Sequence, residues 1–433
     1  MEHAPGDGPH TTARPGGRAS IHRAACGGRH RRAARSCASA CRLDRVRGQL
    51  VRRLLLIGAG HAHAQVLLDW AHRPVPGAEL CVVSPHALAP YSGMVPGWLG
   101  GSYGFEEICI DFDQLARRAG ATFLTDELHA LDPGSNSARL ASGVVVDFDV
   151  ASLNVGSTLR PPSVDGPQVL ALRPLGELKT RWDRVLQDVC SGEMAAGNAI
   201  RVTAVGGGAA GFESLLAVLA RLRALQPQRP VQAELVTRGG QLLPGLARGA
   251  VRSAEQALTK AGVRLRVATP WTPAMAEHTD LLLWGTGAQA HAWQTDAARR
   301  GGLAVSEQGF VRVNPELRSV SHPNVYAAGD CAHWTFPLPK AGVYAVRMGP
   351  VLSRNLRAAL GDAAPASFKP QHNFLALLAT ADGRAIGSRG RLHAEGRWLW
   401  RLKDRIDRGF LARFQSPAAH CGLVQPVSSG NTP

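Results

Sequence analysis

The chain has 433 residues, of which 45% are hydrophobic and 19% charged, and a formal net charge of +16. That length fits roughly two or three domains, and the balance is ordinary for a globular protein with a sizeable core. No apolar run approaches the ~18 residues of a membrane-spanning helix, and the positive excess, partly a tail and partly scattered arginines without interleaved aromatics, argues against a nucleic-acid partner.

Eight cysteines are present, none in a C-x-x-C pair or a zinc-spaced cluster, so no disulfide framework, dithiol centre or metal site is expected. A reducing compartment fits this usage. The expected location is cytoplasmic, with peripheral contact on the inner face of a membrane left open. Residues 1–50 carry ten Arg against Glu2, Asp7 and Asp44 and show no hydrophobic period. They read as a disordered basic extension; a false start and an organelle transit peptide are the alternatives.

Order begins at Arg52. Leu54–Ile57 predicts a strand, Gly58-Ala59-Gly60-His61-Ala62-His63 a tight turn, and the apolar stretch through Leu68 a helix. Gly58 and Gly60 permit the turn and let backbone N–H groups approach a pyrophosphate at the helix N-terminus. His63 replaces the third glycine of that pattern. Ser84, past the predicted strand Leu80–Val83, replaces the acidic residue that would hold a ribose. A helix cap in another kind of α/β protein is the competing reading of this turn. Val144–Leu153 predicts a later strand, followed by Val155-Gly156-Ser157 and by Pro161 and Pro162, which break the pattern.

The same signals then recur. Ile200–Val205 predicts a strand, Gly206–Gly211 a turn and Phe212–Leu225 a helix. Here Gly206, Gly208 and Gly211 complete the three-glycine pattern in its confirming context. Thr237-Arg238 follows the strand Ala233–Val236. An arginine there can accept a 2′-phosphate where a carboxylate would bind a 2′-hydroxyl; a plain surface residue is the alternative. Leu281–Trp284 predicts another strand, ending in Gly285-Thr286-Gly287. Asp330 stands in Tyr326-Ala327-Ala328-Gly329-Asp330-Cys331-Ala332, at a strand end beside a glycine, where a carboxylate suits a polyol such as a ribityl chain; a simple turn is the bland reading. A helix is expected from about Lys340. Trp398–Phe414 is amphipathic, with Leu399, Leu402, Ile406 and Phe410 on one face. It fits either a membrane contact or packing on its own protein or a dimer partner.

The order of first glycine turn, Val-Gly-Ser, second glycine turn, Gly-Thr-Gly and Gly-Asp resembles the pyridine nucleotide-disulfide oxidoreductase superfamily. The lack of C-x-x-C resembles its branch of type II NADH dehydrogenases and sulfide:quinone reductases. More narrowly, four segments resemble the flavoprotein found fused ahead of selenophosphate synthetase. These are Gly58–His63, Tyr91-Ser92-Gly93-Met94-Val95-Pro96-Gly97, Pro339-Lys340-Ala341-Gly342-Val343-Tyr344-Ala345-Val346-Arg347 and Lys403-Asp404-Arg405-Ile406-Asp407-Arg408. The resemblance spans about residues 52–414, and no synthetase domain follows before Pro433.

This resemblance implies an α/β fold with two Rossmann-like domains. FAD would lie on residues 51–165 and 316–370, NADH or NADPH on 166–315, and 371–433 would form a C-terminal segment. Gly58, Gly60, His61, Ser84, Gly329, Asp330 and Ala341 would meet FAD. Gly206, Gly208, Gly211, Arg238 and Gly287 would meet the nicotinamide cofactor. Glu213 matches a glutamate that in relatives lies near flavin and nicotinamide; a polar residue in a helix's first turn is the alternative. Lys340 would point at the pyrimidine edge of the flavin and stabilise its reduced form, or else sit on the surface. Phe212 stands where sulfide:quinone reductases can carry a cysteine, which argues against polysulfide chemistry. The expected activity is hydride transfer from NAD(P)H to FAD and on to an acceptor. A quinone, a selenium or sulfur species and a protein all remain open, as does a homodimer. A flavin- or nucleotide-binding sensor or scaffold without turnover is the alternative.

Overall fold

In the computed structural model the described residues are 51–194, 197–335, 338–371 and 373–415. The basic extension expected over residues 1–50, like residues 416–433, lies outside them. Strand Arg52–Ile57 ends in four consecutive apolar residues. Successive strand residues face opposite sides, so such a run suits a parallel strand covered on both faces. Leu54 and Leu56 accordingly enter one buried core, and Leu55 and Ile57 another.

Five parallel strands form the first sheet in the order Val325–Ala327, Val150–Leu153, Arg52–Ile57, Ala78–Ser84, Thr122–Thr125. The strand order reverses between Arg52–Ile57 and Val150–Leu153, the place where doubly wound sheets open a ligand crevice. The second sheet, also parallel, runs Gln168–Ala171, Leu281–Trp284, Ile200–Val205, Val231–Val236, Val263–Arg266. A third, antiparallel sheet of Ala376–Ala379, Ala385–Arg389 and Leu392–Gly396 follows, and the helix Arg397–Ala412 packs on it.

Three expectations shift. The strand predicted over 144–153 is two strands, Val145–Asp147 and Val150–Leu153, in different sheets. It breaks where Asp149 turns its carboxylate onto the Arg53 N–H at 2.6 Å. The helix after the second glycine turn starts at Ala209, because Ala209, Ala210 and Gly211 form its first turn without contributing to the apolar period. The helix expected from about Lys340 starts at Gly342, with extended Ala341 as its cap, so Lys340 stands ahead of it.

The helix Arg397–Ala412 also presents a different face than its hydrophobic pattern suggests. Leu399, Asp407 and Leu411 are buried, while Trp398 and Ile406 are 58% and 47% exposed. The inner face carries the Lys403–Asp407 ion pair, 2.6 Å long with both side chains almost wholly covered. An apolar period cannot register a buried pair of charges.

Asn154, directly after strand Val150–Leu153, ties the first sheet together. Its N–H donates to the Ile57 carbonyl at 2.8 Å. Its Oδ1 accepts from the N–H groups of Ala62 and His63 at 3.0 and 3.3 Å, and its Nδ2 donates to the Ala328 carbonyl at 2.6 Å. A Cβ on Gly60 would lie 2.1 Å from Oδ1, and one on Gly58, at φ +100°, would lie 2.6 Å from the Asn154 carbonyl oxygen. His63 fills the slot of the missing third glycine. Its Nδ1 lies 2.7 Å from the Gly58 carbonyl and its Nε2 2.8 Å from Ser152 Oγ. The carbonyl only accepts, so Nδ1 carries the hydrogen and Nε2 accepts from the serine. Burial lowers its pKa to about 4, so the ring is neutral. Asn154→Ala strands two buried N–H groups and removes one of the donors to the Ala328 carbonyl. Unfolding in urea is expected to show a loss on the order of 3 kcal/mol; a loss below about 1 kcal/mol would mean the turn holds without the amide.

Candidate active site

The carboxyl ends of both parallel sheets open onto one cleft of about 2060 Å³. Gly58, Ala59, Gly60 and His61 line it from the first glycine turn. Gly208, Ala209, Ala210 and Glu213 line it from the second.

In the second turn each glycine has a separate physical reason. Gly206 adopts φ +128°, and a Cβ on it would meet the Gly285 carbonyl at 2.3 Å. A Cβ on Gly211 would meet the Gly206 carbonyl at 2.1 Å, so the helix packs directly on the turn. Gly208 has nothing within 4 Å of its Cβ position and caps the helix Ala209–Leu225 with no side-chain partner. That leaves helix N–H groups facing open space, an anion site in waiting. Gly287 also lines the cleft with open space around it. Arg238 is exposed just past strand Val231–Val236 and is not among the cleft-lining residues.

On the first side, His61 stacks edge-on against Tyr91 at 5.3 Å and lies 6.2 Å from Phe410. Its Nε2 is buried without a hydrogen-bond partner. Burial lowers its pKa to about 4 despite the opposing field of Asp330, so a neutral imidazole lines the cleft. Ser84 is buried, and its hydroxyl donates to the His86 carbonyl at 3.0 Å. Gly329 takes φ +71°, with Asn154 Nδ2 2.7 Å from its Cβ position. Asp330 Oδ2 accepts from Ser157 Oγ at 3.2 Å and forms an ion pair with Arg173 at 2.8 Å. Cys331 is buried and donates to the Ala328 carbonyl; burial pushes its thiol up to about 11, which makes it inert.

Lys340 does not present a free ammonium to the cleft. Its Nζ donates to the Ala332 carbonyl and lies 3.8 Å from the centre of the Phe310 ring. Burial lowers its pKa. Beside it, Ala341 caps the helix Gly342–Ala359 with no side-chain bond.

Glu213 is buried on the cleft wall and accepts from the Ala379 N–H at 2.7 Å. Burial raises its pKa to about 7, against the pull of Lys403 and that N–H. Lys403 bridges this region: it donates to the Gly93 carbonyl and to Asp407. Asp407 in turn hydrogen-bonds Tyr91, whose hydroxyl is shifted upward, chiefly by burial. The segments around Tyr91 and Lys403, more than three hundred residues apart, therefore meet at the cleft. Asn154, Arg173, Tyr91, Lys403 and Asp407 are site residues that sequence reasoning assigned no role. Tyr91, Lys403 and Asp407 lie in segments that resemble a known flavoprotein, which is the signal that could have found them.

Residues 52–349 match the model of the pyridine nucleotide-disulphide oxidoreductase family. The type II NADH:quinone oxidoreductase of Staphylococcus aureus (strain NCTC 8325 / PS 47) is 19% identical over 342 residues, covering 73% of this chain and 85% of that protein. Among solved structures, the sulfide:quinone oxidoreductase of Aquifex aeolicus superposes with a TM-score of 0.67 at 15% identity, covering 84% of this chain and 91% of that one. NDH2 from Plasmodium falciparum, solved with NADH, gives 0.66 at 12% identity, covering 84% and 97%. The expected enzyme class and the FAD and nicotinamide cofactors accord with these matches. Two glycine turns facing one cleft, and a family match over more than half of the length, lead to one statement: this chain belongs to the pyridine nucleotide-disulphide oxidoreductase family.

Proposed function

We propose that the protein is an FAD-dependent oxidoreductase that takes hydride from NAD(P)H and passes the electrons to an apolar acceptor of the quinone class. The observation that carries this reading is the single cleft lined by both glycine turns. FAD, when bound, supplies the hydride acceptor and the electron store. The chain's own contribution is placement: two dinucleotides held in one cleft need few catalytic side chains.

Gly58, Gly60, His61, Gly329, Asp330 and Ala341 are the residues that would hold FAD. His61 supports this with an unpartnered ring nitrogen, and Ala341 with an uncapped helix N-terminus. Ser84 offers no carboxylate to a ribose. Gly206, Gly208, Gly211 and Gly287 would hold the nicotinamide cofactor. Arg238, exposed just past the strand Val231–Val236, would meet the 2′-phosphate if NADPH is the cofactor used. The positive end of the helix Gly342–Ala359 and the charge of Lys340 just ahead of it would favour a reduced, negatively charged flavin.

Glu213 is the proton donor to the acceptor in this reading. Leu375 and Ile406, both exposed, line the same cleft together with Val343, Phe374 and Phe410, which suits an apolar ring. Among the described residues no cysteine lines it. Trp398, Leu402 and Ile406 share one side of the last helix at i, i+4 and i+8 spacing, with exposed Arg397, Arg401 and Arg405 beside them. That stripe would meet an anionic membrane surface.

Anaerobic NADH or NADPH is expected to bleach the flavin absorbance of the wild type. Gly208→Val, which fills open space rather than a packed contact, should retain FAD and lose bleaching; equal bleaching in both would remove the second turn from the mechanism. The acid form of Glu213 predominates below about pH 7, so acceptor reduction should decline as pH rises through that value. Glu213→Gln is expected to lower that step about 100-fold and to flatten the profile, with flavin bleaching preserved. An unchanged pH profile would exclude Glu213 as the donor. Trp398→Ala with Ile406→Ala should weaken co-sedimentation with anionic vesicles and slow quinone turnover while leaving the thermal melt unchanged, since both side chains are exposed. A wild type that ignores such vesicles at low salt would overturn the membrane contact.

A further inference from the structure

Arg173 follows strand Gln168–Ala171 at the edge of the second sheet, yet its guanidinium reaches the loops of the first. Nη1 forms an ion pair with Asp330 Oδ2 at 2.8 Å and donates to Ser157 Oγ. Nη2 donates to the Lys340 carbonyl at 3.1 Å. One planar fork thus joins three loops: the one after Val150–Leu153, the one after Val325–Ala327, and the approach to the helix Gly342–Ala359. The arginine is itself held, because Arg181 from the helix Leu175–Ser191 donates to the carbonyls of Ala171 and Arg173 at 3.2 and 3.3 Å. The Arg173 and Asp330 side chains are 25% and 17% exposed, so the pair is mostly shielded from water.

Resting on the flavin reading above, we propose that Arg173 is the positioning residue of the flavin site, acting through Asp330. Oδ2 is engaged by Arg173 and Ser157, which leaves Oδ1 as the oxygen that would accept from a ribityl hydroxyl. A fixed rotamer presents that acceptor without further ordering when the ligand arrives. The same guanidinium balances the Asp330 charge. Lys340 adds its field to Asp330 but makes no ion pair with it, its ammonium donating instead to the Ala332 carbonyl and lying over the Phe310 ring. Without Arg173 the carboxylate beside the flavin would lose its paired cation, which disfavours the reduced, negatively charged form. Lysine can restore the charge but cannot reproduce one planar fork that meets three partners. Because Arg173 lies between the edge strand Gln168–Ala171 of the second sheet and the helix Leu175–Ser191, flavin affinity is linked to the placement of that segment.

The test compares wild type, Arg173→Lys, Arg173→Met, Asp330→Asn and the Arg173→Met/Asp330→Asn double variant. Two quantities are read: FAD affinity of the apoprotein by flavin fluorescence quenching, and the flavin midpoint potential of the holoprotein. Arg173→Met should weaken FAD by about 30-fold or more, the usual scale for truncating one partner of a buried charge pair, and should lower the potential. Arg173→Lys should recover the potential but not the affinity. In the Asp330→Asn background, Arg173→Met should cause little further loss of affinity, and the potential should return toward the wild-type value. If Arg173→Met fails to fold, the split shown by Arg173→Lys carries the test. Wild-type affinity and potential in Arg173→Met, or losses that simply multiply in the double variant, would overturn the proposal while leaving the flavin reading intact. A wild-type chain that takes up no FAD would overturn both.

Discussion

The carboxamide of Asn154 sits where three chain segments would otherwise leave polar backbone groups unpaired in a dry interior. It satisfies the first N–H groups of the helix after the Gly58 turn and the carbonyl at the end of strand Val325–Ala327. Burying such groups without partners costs more than the bonds return in isolation, so the amide is a condition for the turn's shape. The glycines follow from it: with Asn154 in place, any Cβ at Gly58 or Gly60 would overlap its atoms. The strand Val325–Ala327 arrives after the whole second sheet has intervened, and this side chain is one of the contacts that joins it back to the first turn.

A second constraint is electrostatic. The cleft wall carries Glu213, Lys403 and Asp407 in a region largely shielded from water. Lys403 and Asp407 neutralise one another, and the lysine's remaining reach goes to the Gly93 carbonyl. Glu213 is left with one N–H donor and a distant cation, which does not offset its burial, so its pKa rises toward neutrality. The contrast with Asp330, whose carboxylate has a direct guanidinium partner, separates the two acids by environment alone. The first is paired and placed to hold a ligand; Glu213 exchanges a proton in the physiological range.

Much of the architecture is legible in local sequence because the requirements are local. Leu54–Ile57 and Leu281–Trp284 are apolar throughout, which only a doubly covered strand tolerates, and Gly206 needs a backbone angle that side chains resist. Asn154 and Arg173 leave no such trace. Their partners lie 92 and 167 residues away, and an asparagine or arginine in a loop is unremarkable until the strand ends converge. Lys340 shows the opposite limit: its position beside the helix Gly342–Ala359 is legible, but the direction of a flexible ammonium depends on a carbonyl and a ring elsewhere in the chain. The helix Arg397–Ala412 shows a third. Amphipathicity is evident, yet the buried face contains an ion pair that a hydrophobic period counts as solvent-facing.

The site is therefore a seam assembled from parts that are each incomplete. The first sheet offers two uncapped helix starts and the Asp330 carboxylate; the second offers an open glycine turn and, one turn later, Glu213. The C-terminal segment closes the arrangement by supplying the Ala379 N–H to Glu213 and Lys403 to the Tyr91 loop. Hydride transfer depends steeply on distance, so its rate is set by how rigidly these parts are held together rather than by the reactivity of any one side chain. Arg173 and Lys403 are among the cations that cross the seam, and each ends on a carboxylate and a backbone carbonyl. A cation anchored in that way resists both translation and rotation of the loops it joins, which is the mechanical property that a cleft for two cofactors requires.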